Sequence, residues 1–182
     1  MNKKFELLLD DAITIFGIKL FRIKALISFG DVEKGELGGY VEKEDNLSLY
    51  GNAWVHGNAR VYGNARVHGN AEVYGNAEVH GNAWVHGNAR VSGNAEVHGN
   101  AEVSGNAEVY GDADYIVFKN NWSSGRYFTY TKSNKMWKVG CFYGTGQELI
   151  KKAYQDSEVS GKHYEAYAEF VDKLEKLEEA ND

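Results

Sequence analysis

Between Gly51 and Tyr110 the chain alternates small or apolar positions with variable ones in a single unbroken pattern, G-N-A-x-V-x, ten times over. Ala and Val stand two residues apart in each unit, so they share one face of an extended segment while the x positions share the other. Gly-Asn then interrupts the strand, and these are the residues that most readily take positive φ, so each pair predicts a corner. Each hexad is thus a short strand plus a bend, and three of them close a triangular coil of eighteen residues. Asp45–Tyr50 (DNLSLY) reads as a degenerate copy before the array and Gly111–Ile116 (GDADYI) as one after it.

Stacked coils of this kind bury Val and Ala and leave the x positions outside, sorted by the eighteen-residue period into three faces. The first carries Trp54, Glu72, Arg90 and Glu108, beside His56, Tyr74, Ser92 and Tyr110. The second carries Arg60, Glu78 and Glu96, beside Tyr62, His80 and His98. The third carries Arg66, Trp84 and Glu102, beside His68, His86 and Ser104. Arg and Glu one rung apart predict exposed ladder pairs worth about 0–1 kcal/mol each. On this reading Val79→Lys costs several kcal/mol and Glu78→Lys only about 0.5 kcal/mol.

The flanks have other periods. Residues 1–44 predict a β cap, with strands at Ile13–Phe16 and Ile18–Leu26 meeting near Gly17. After Tyr115 the pattern predicts a strand to Phe118, then a hairpin of Arg126–Thr131 and Met136–Phe142 across Lys132–Asn134, with Trp137, Val139 and Cys141 facing inward. Thr145 and Glu148 have capping-box spacing and open a helix to about Tyr154, buried along Leu149, Ile150, Ala153 and Tyr154. A second helix, at about 161–179, buries Tyr164, Tyr167, Val171, Leu174 and Leu177. The expected organisation is a cap at 1–44, the coils at 45–116 and a β-hairpin plus two-helix module at 117–182.

Composition narrows the functions. Net charge is −6 and no apolar run reaches the roughly 18–20 residues that span a bilayer, so neither a long nucleic acid nor a membrane is an expected partner. The single cysteine, Cys141, fits a reducing compartment, and the cytoplasm is the expected location. Yet Phe118–Lys152 holds seven basic residues (Lys119, Arg126, Lys132, Lys135, Lys138, Lys151, Lys152) against one acid, Glu148, and eight of the chain's 24 aromatics fall between Phe118 and Tyr143. A glycine-rich turn (Gly140, Gly144, Gly146) ahead of a helix N-terminus suits an anion. Arg126 and Lys138 are the candidate phosphate holders there, and Trp122 and Tyr143 the candidate stacking rings, for a small anionic ligand such as a nucleotide. The stacked pairs His68/His86 and His80/His98 offer two imidazoles per face, short of the three or four ligands zinc takes, so no metal, cofactor or catalytic residue is expected.

The lead-in GELGGYVEKEDNLS, the GNAxVx array and the tail motif GCFYGTGQEL together resemble hexapeptide-repeat proteins of phages and prophages. Related bacterial proteins carry the acyltransferase name. The resemblance implies a left-handed parallel β-helix, a homotrimer and a phage-linked protein acting in the host cytoplasm. A non-enzymatic binding or scaffold protein follows, one that sequesters a nucleotide signal or blocks a host defence protein. The alternative is a trimeric hexapeptide acyltransferase. Such enzymes extrude a loop from the coil, and the array here has no interruption to supply one.

Overall fold

A computed structural model describes residues 3–180. The chain is mainly β: a parallel β-solenoid of about four coils, an antiparallel sheet and two C-terminal helices. It divides into two compact units, one running to Ile116 with Thr131–Asn134, the other made of Val117–Tyr130 and the chain from Lys135 on.

In the first unit, β1 (Phe5–Ile15), β2 (Ile18–Ala25) and β3 (Leu37–Val41) lead into ten two-residue strands. These are β4 (Trp54–Val55), β5 (Arg60–Val61), β6 (Arg66–Val67), β7 (Glu72–Val73), β8 (Glu78–Val79), β9 (Trp84–Val85), β10 (Arg90–Val91), β11 (Glu96–Val97), β12 (Glu102–Val103) and β13 (Glu108–Val109). They stack in three parallel sheets, β4-β7-β10-β13, β3-β5-β8-β11 and β6-β9-β12, the second continuing through β3 into β2 and β1. Every valine from Val55 to Val109 is fully buried, and the alanines beside them are no more than 1% exposed. Corner glycines take positive φ throughout the array, and corner asparagines hydrogen-bond one another coil to coil, as in Asn70 Nδ2 to Asn88 Oδ1 (3.0 Å) and Asn88 Nδ2 to Asn106 Oδ1 (3.1 Å).

The first coil departs from the expected register. Val41 pairs with Val61 and Leu47 with Val67, each twenty residues apart, whereas the array pairs at eighteen. Two extra residues therefore lie between Leu47 and Ala53. Leu47, and not Leu49, takes the inward place; Leu49 and Tyr50 are 44% and 67% exposed. Buried Asn46 fixes this choice, its Nδ2 donating to Ala65 O (2.9 Å) and Gly63 O (3.3 Å), carbonyls the coil would otherwise leave open. Lys4 does the same at the next edge, its Nζ donating to Ala53 O (2.6 Å) and Ser48 O (3.2 Å).

At the other end, Gly111–Ile116 does not form a further rung. Asp112–Asp114 is a 3-10 turn, and Asp112 Oδ1 accepts from Glu96 N (2.8 Å) while Ser133 Oγ accepts from Glu108 N (2.8 Å). Open N–H groups at the last coil are thus closed by side chains, which removes a pairing edge. Four x positions assigned to solvent are covered instead: Ser92 and Ser104, 3% and 4% exposed, and the two large rings Trp54 and Tyr62. Trp54 is fully buried, with Phe5 and Phe29 edge-on at 6.3 and 5.4 Å. Tyr62 is buried against Leu20 and Tyr40, with Ile13, Ile15 and Ile18 alongside. The cause for both rings is the β1–β2 hairpin, longer than the pattern indicated because β1 starts at Phe5.

The second unit carries a sheet in the order β14 (Tyr115–Lys119), β15 (Tyr127–Thr131), β16 (Met136–Val139), β17 (Phe142–Gly144), then α1 (Gly146–Asp156) and α2 (Glu158–Glu179). The single strand expected at Met136–Phe142 is broken: Gly140 takes φ 55°, and β16 turns back on β17. Trp137 and Val139 stay inside, but Cys141 falls in the turn and is exposed. On α1 the buried residues are Leu149 and Ala153, while Tyr154 reaches out to Glu165 (2.6 Å). α2 begins before residue 161, because Ser157 Oγ accepts from Ser160 N (3.0 Å) and caps it there. Gly161, Tyr164, Ala168 and Val171 are its buried residues; Leu177 is 62% exposed.

Candidate functional site

The solenoid faces are built of mutually satisfied pairs. Arg60 meets Glu78 (2.7 Å), Arg90 meets Glu72 (3.2 Å), His80 meets Glu96 (2.6 Å) and His86 meets Glu102 (2.9 Å). His80 stacks on His98 (5.5 Å) and His68 on His86 (4.9 Å). Parallel stacked rings, one of each pair bonded to a carboxylate, do not converge on a point. Among the described residues no group of three or more His, Cys, Asp or Glu is arranged to hold a metal ion.

Arg66 breaks the pairing rule. Its neighbour one rung along is Trp84, and its guanidinium carbon lies 5.7 Å from the indole centroid. Trp84 is 41% exposed and His68 stands edge-on to it at 5.8 Å. Burial, with His86 next, holds the His68 imidazole below the ordinary histidine range, so it is neutral at pH 7. Below these side chains the slipped segment Ser48–Tyr50 and the acids Glu44 and Asp45 complete a hollow of about 540 Å³ on the third face. Sequence reasoning missed this hollow, although a tryptophan where the ladder calls for a carboxylate was its visible signal.

In the second unit, the four sequence-selected residues fall in two places: Arg126, Lys138 and Tyr143 lie around Gly140, and Trp122 lines a different hollow. Lys138 and Tyr143 face each other across β16 and β17, and Lys138 Nζ donates to Gly140 O. Arg126 lies beside the same glycine, but the crevice it lines with Lys152 and Tyr164 holds about 20 Å³, room for a water and not for a ring. The helix N-terminus is also occupied from within. Glu148 Oε2 accepts from Thr145 N (2.9 Å) and Thr145 Oγ1 (3.0 Å), and these bonds hold the Glu148 carboxyl below its ordinary range.

Trp122 lines a different hollow, of about 430 Å³, with Phe118, His163, Tyr167 and Phe170. The indole is 78% exposed, yet its loop is tightly held. Asn120 is fully buried, its Oδ1 accepting from Trp122 N (3.2 Å) and Ser123 N (3.1 Å) while its Nδ2 donates to Ser123 Oγ (2.8 Å). An Asx turn thus fixes the backbone that presents a large apolar side chain to water. Beneath it, Phe118 packs on Tyr167 (5.3 Å) and Phe170 (6.0 Å).

Among known families, a model of the YdcK beta solenoid repeat matches residues 55–69 and 59–73, and with the stacked parallel strands it marks the chain as a repeat β-solenoid protein. A search of curated proteins gives no match to the chain.

Proposed function

We propose that the protein is a non-catalytic binding scaffold, a left-handed hexapeptide-repeat prism carrying a recognition module whose contact point is the Trp122 hollow. The observation that supports this is a 78% exposed indole carried on a turn whose backbone a fully buried asparagine fixes, since the turn is already ordered before a partner covers the ring. A nucleotide is the ligand this reading favours. Its base stacks against Trp122 and its phosphates extend toward the basic surface of the module, to which Arg126 and Lys138 belong and beside which Tyr143 lies.

The resemblance to phage proteins extends the reading to a homotrimer in the host cytoplasm that sequesters a nucleotide signal or occludes a host protein. The test is calorimetry of the full chain with cyclic and linear nucleotides at low and physiological salt. Trp122→Ala abolishes binding, Arg126→Ala with Lys138→Ala weakens it by about 1–3 kcal/mol per lost contact, and His80→Ala with His98→Ala leaves it unchanged. If no nucleotide binds, the ligand is not a nucleotide and the occluded protein takes its place. Loss of binding or of turnover with the histidine pair alone overturns the proposal in favour of acyl transfer on the prism.

A further inference from the structure

Two departures from the repeat meet at one place on the third face. One is the two-residue excess after Leu47, which pushes Leu49 and Tyr50 out of the wall. The other is Trp84, standing where the rung above Arg60 has Glu78. Neither change helps the coil: the slip exposes apolar side chains, and the tryptophan leaves Arg66, among the described residues, with no carboxylate partner. Together they make a floor, a wall and an exposed indole around about 540 Å³, within the size range of small-ligand sites.

Charge selects the ligand. Glu44 is paired with Lys3 (2.5 Å), and the remaining Asp45 and Arg66 balance one another, so the hollow presents no net charge to attract an ion. It offers acceptors (Asp45, Glu44), donors and acceptors (Tyr50, His68), a fixed five-donor guanidinium and the face of an indole. That combination matches a molecule with one apolar C–H face and hydroxyls around its edge. We propose that this hollow is a saccharide-binding site, with a sugar ring against the exposed part of Trp84 that the Arg66 guanidinium leaves open and its hydroxyls shared between Arg66, Asp45 and Tyr50. His68, neutral at pH 7, serves the same ligand as a hydrogen-bonding wall without adding charge. The site lies in a different unit from Trp122 and stands or falls separately from the nucleotide reading.

The experiment uses the full chain labelled with ¹⁵N at the indoles of its four tryptophans. Trp84→Phe assigns the Trp84 signal. Maltotriose, chitotriose, galactobiose and glucuronate are titrated, with AMP and inorganic phosphate as the competing chemistry. The expected result is that at least one saccharide moves the Trp84 signal and leaves Trp122 in place, with Arg66→Gln weakening the response roughly tenfold. Arg66 is exposed and, among the described residues, has no carboxylate partner, so that variant folds as the parent does, which its thermal midpoint checks. If no saccharide moves the signal, or only AMP or phosphate does, the proposal is wrong.

Discussion

Leu47 pairs with Val67 twenty residues along the chain, whereas Val61 pairs with Val79 at eighteen, and this slip decides which leucine of the first coil is core. Leu47 is 1% exposed and Leu49 is 44% exposed. Leu47→Ala is expected to cost about 2–5 kcal/mol and Leu49→Ser about 0.5 kcal/mol or less. Urea unfolding of both variants checks it; equal costs would place both leucines in the core.

Val79 and Glu78 give a second comparison. Val79 is fully buried, so Val79→Lys buries an unpaired charge and costs several kcal/mol. Glu78 does more than the pattern indicated, because it accepts from both Arg60 (2.7 Å) and the Tyr62 hydroxyl (2.8 Å). Glu78→Lys is therefore expected to cost about 1–3 kcal/mol, not 0.5. Glu78→Gln, which keeps an acceptor, should recover part of the loss. Denaturant midpoints of the three variants test the ranking.

Legibility followed locality. The Val and Ala positions were readable because each hexad repeats the same two-residue spacing. The slip was not, since Leu47 and Leu49 have the same parity and either satisfies the pattern; the choice is made by the Asn46 side chain. Burial of Trp54 was equally invisible, because it depends on Phe5 and Phe29, far off in the chain. For the module, Trp122 could be singled out from composition. The grouping of Arg126 and Lys138 around Gly140 could not, because an alternating apolar pattern conceals the break there.

The pH dependence of stability should carry the mark of Lys4. Burial lowers its ammonium from 10.5 to about 8. Between those values the unfolded chain binds a proton that the folded chain does not, so stability rises with pH there, by at most about 1.4 kcal/mol per unit, and is indifferent to Lys4 below that window. Tyr62 acts in the opposite sense above its ordinary range, because burial, then its bond to Glu78, raises its phenol. The clean comparison is wild type against Lys4→Met from pH 7 to 9.5: the rise should vanish in the variant. An unchanged slope would mean that another group titrates.

Corner glycines should differ by position. Gly87 and Gly99 both have positive φ, 72° and 67°, so alanine at either costs about 1–2 kcal/mol of backbone strain. At Gly87 a Cβ would also stand 2.9 Å from Gly105 N in the next coil, whereas at Gly99 it meets nothing within 4 Å. Gly87→Ala is expected to destabilise more than Gly99→Ala, read as a difference in thermal midpoint.

Because the asparagine corners and the valine core repeat identically at every hexad, the backbone cannot register how many hexads a gene encodes. The decoration can. A replication slip that adds or removes eighteen residues returns each later side chain to its own face, one storey up or down. A slip of six keeps the core intact but turns everything beyond it by a third of a revolution, moving Arg90 from above Glu72 to above Glu78 and every later residue one face round. Heritable changes in length should therefore accumulate in threes of hexads, with a single-hexad change between Tyr50 and Trp84 folding and yet losing whatever the third face recognises.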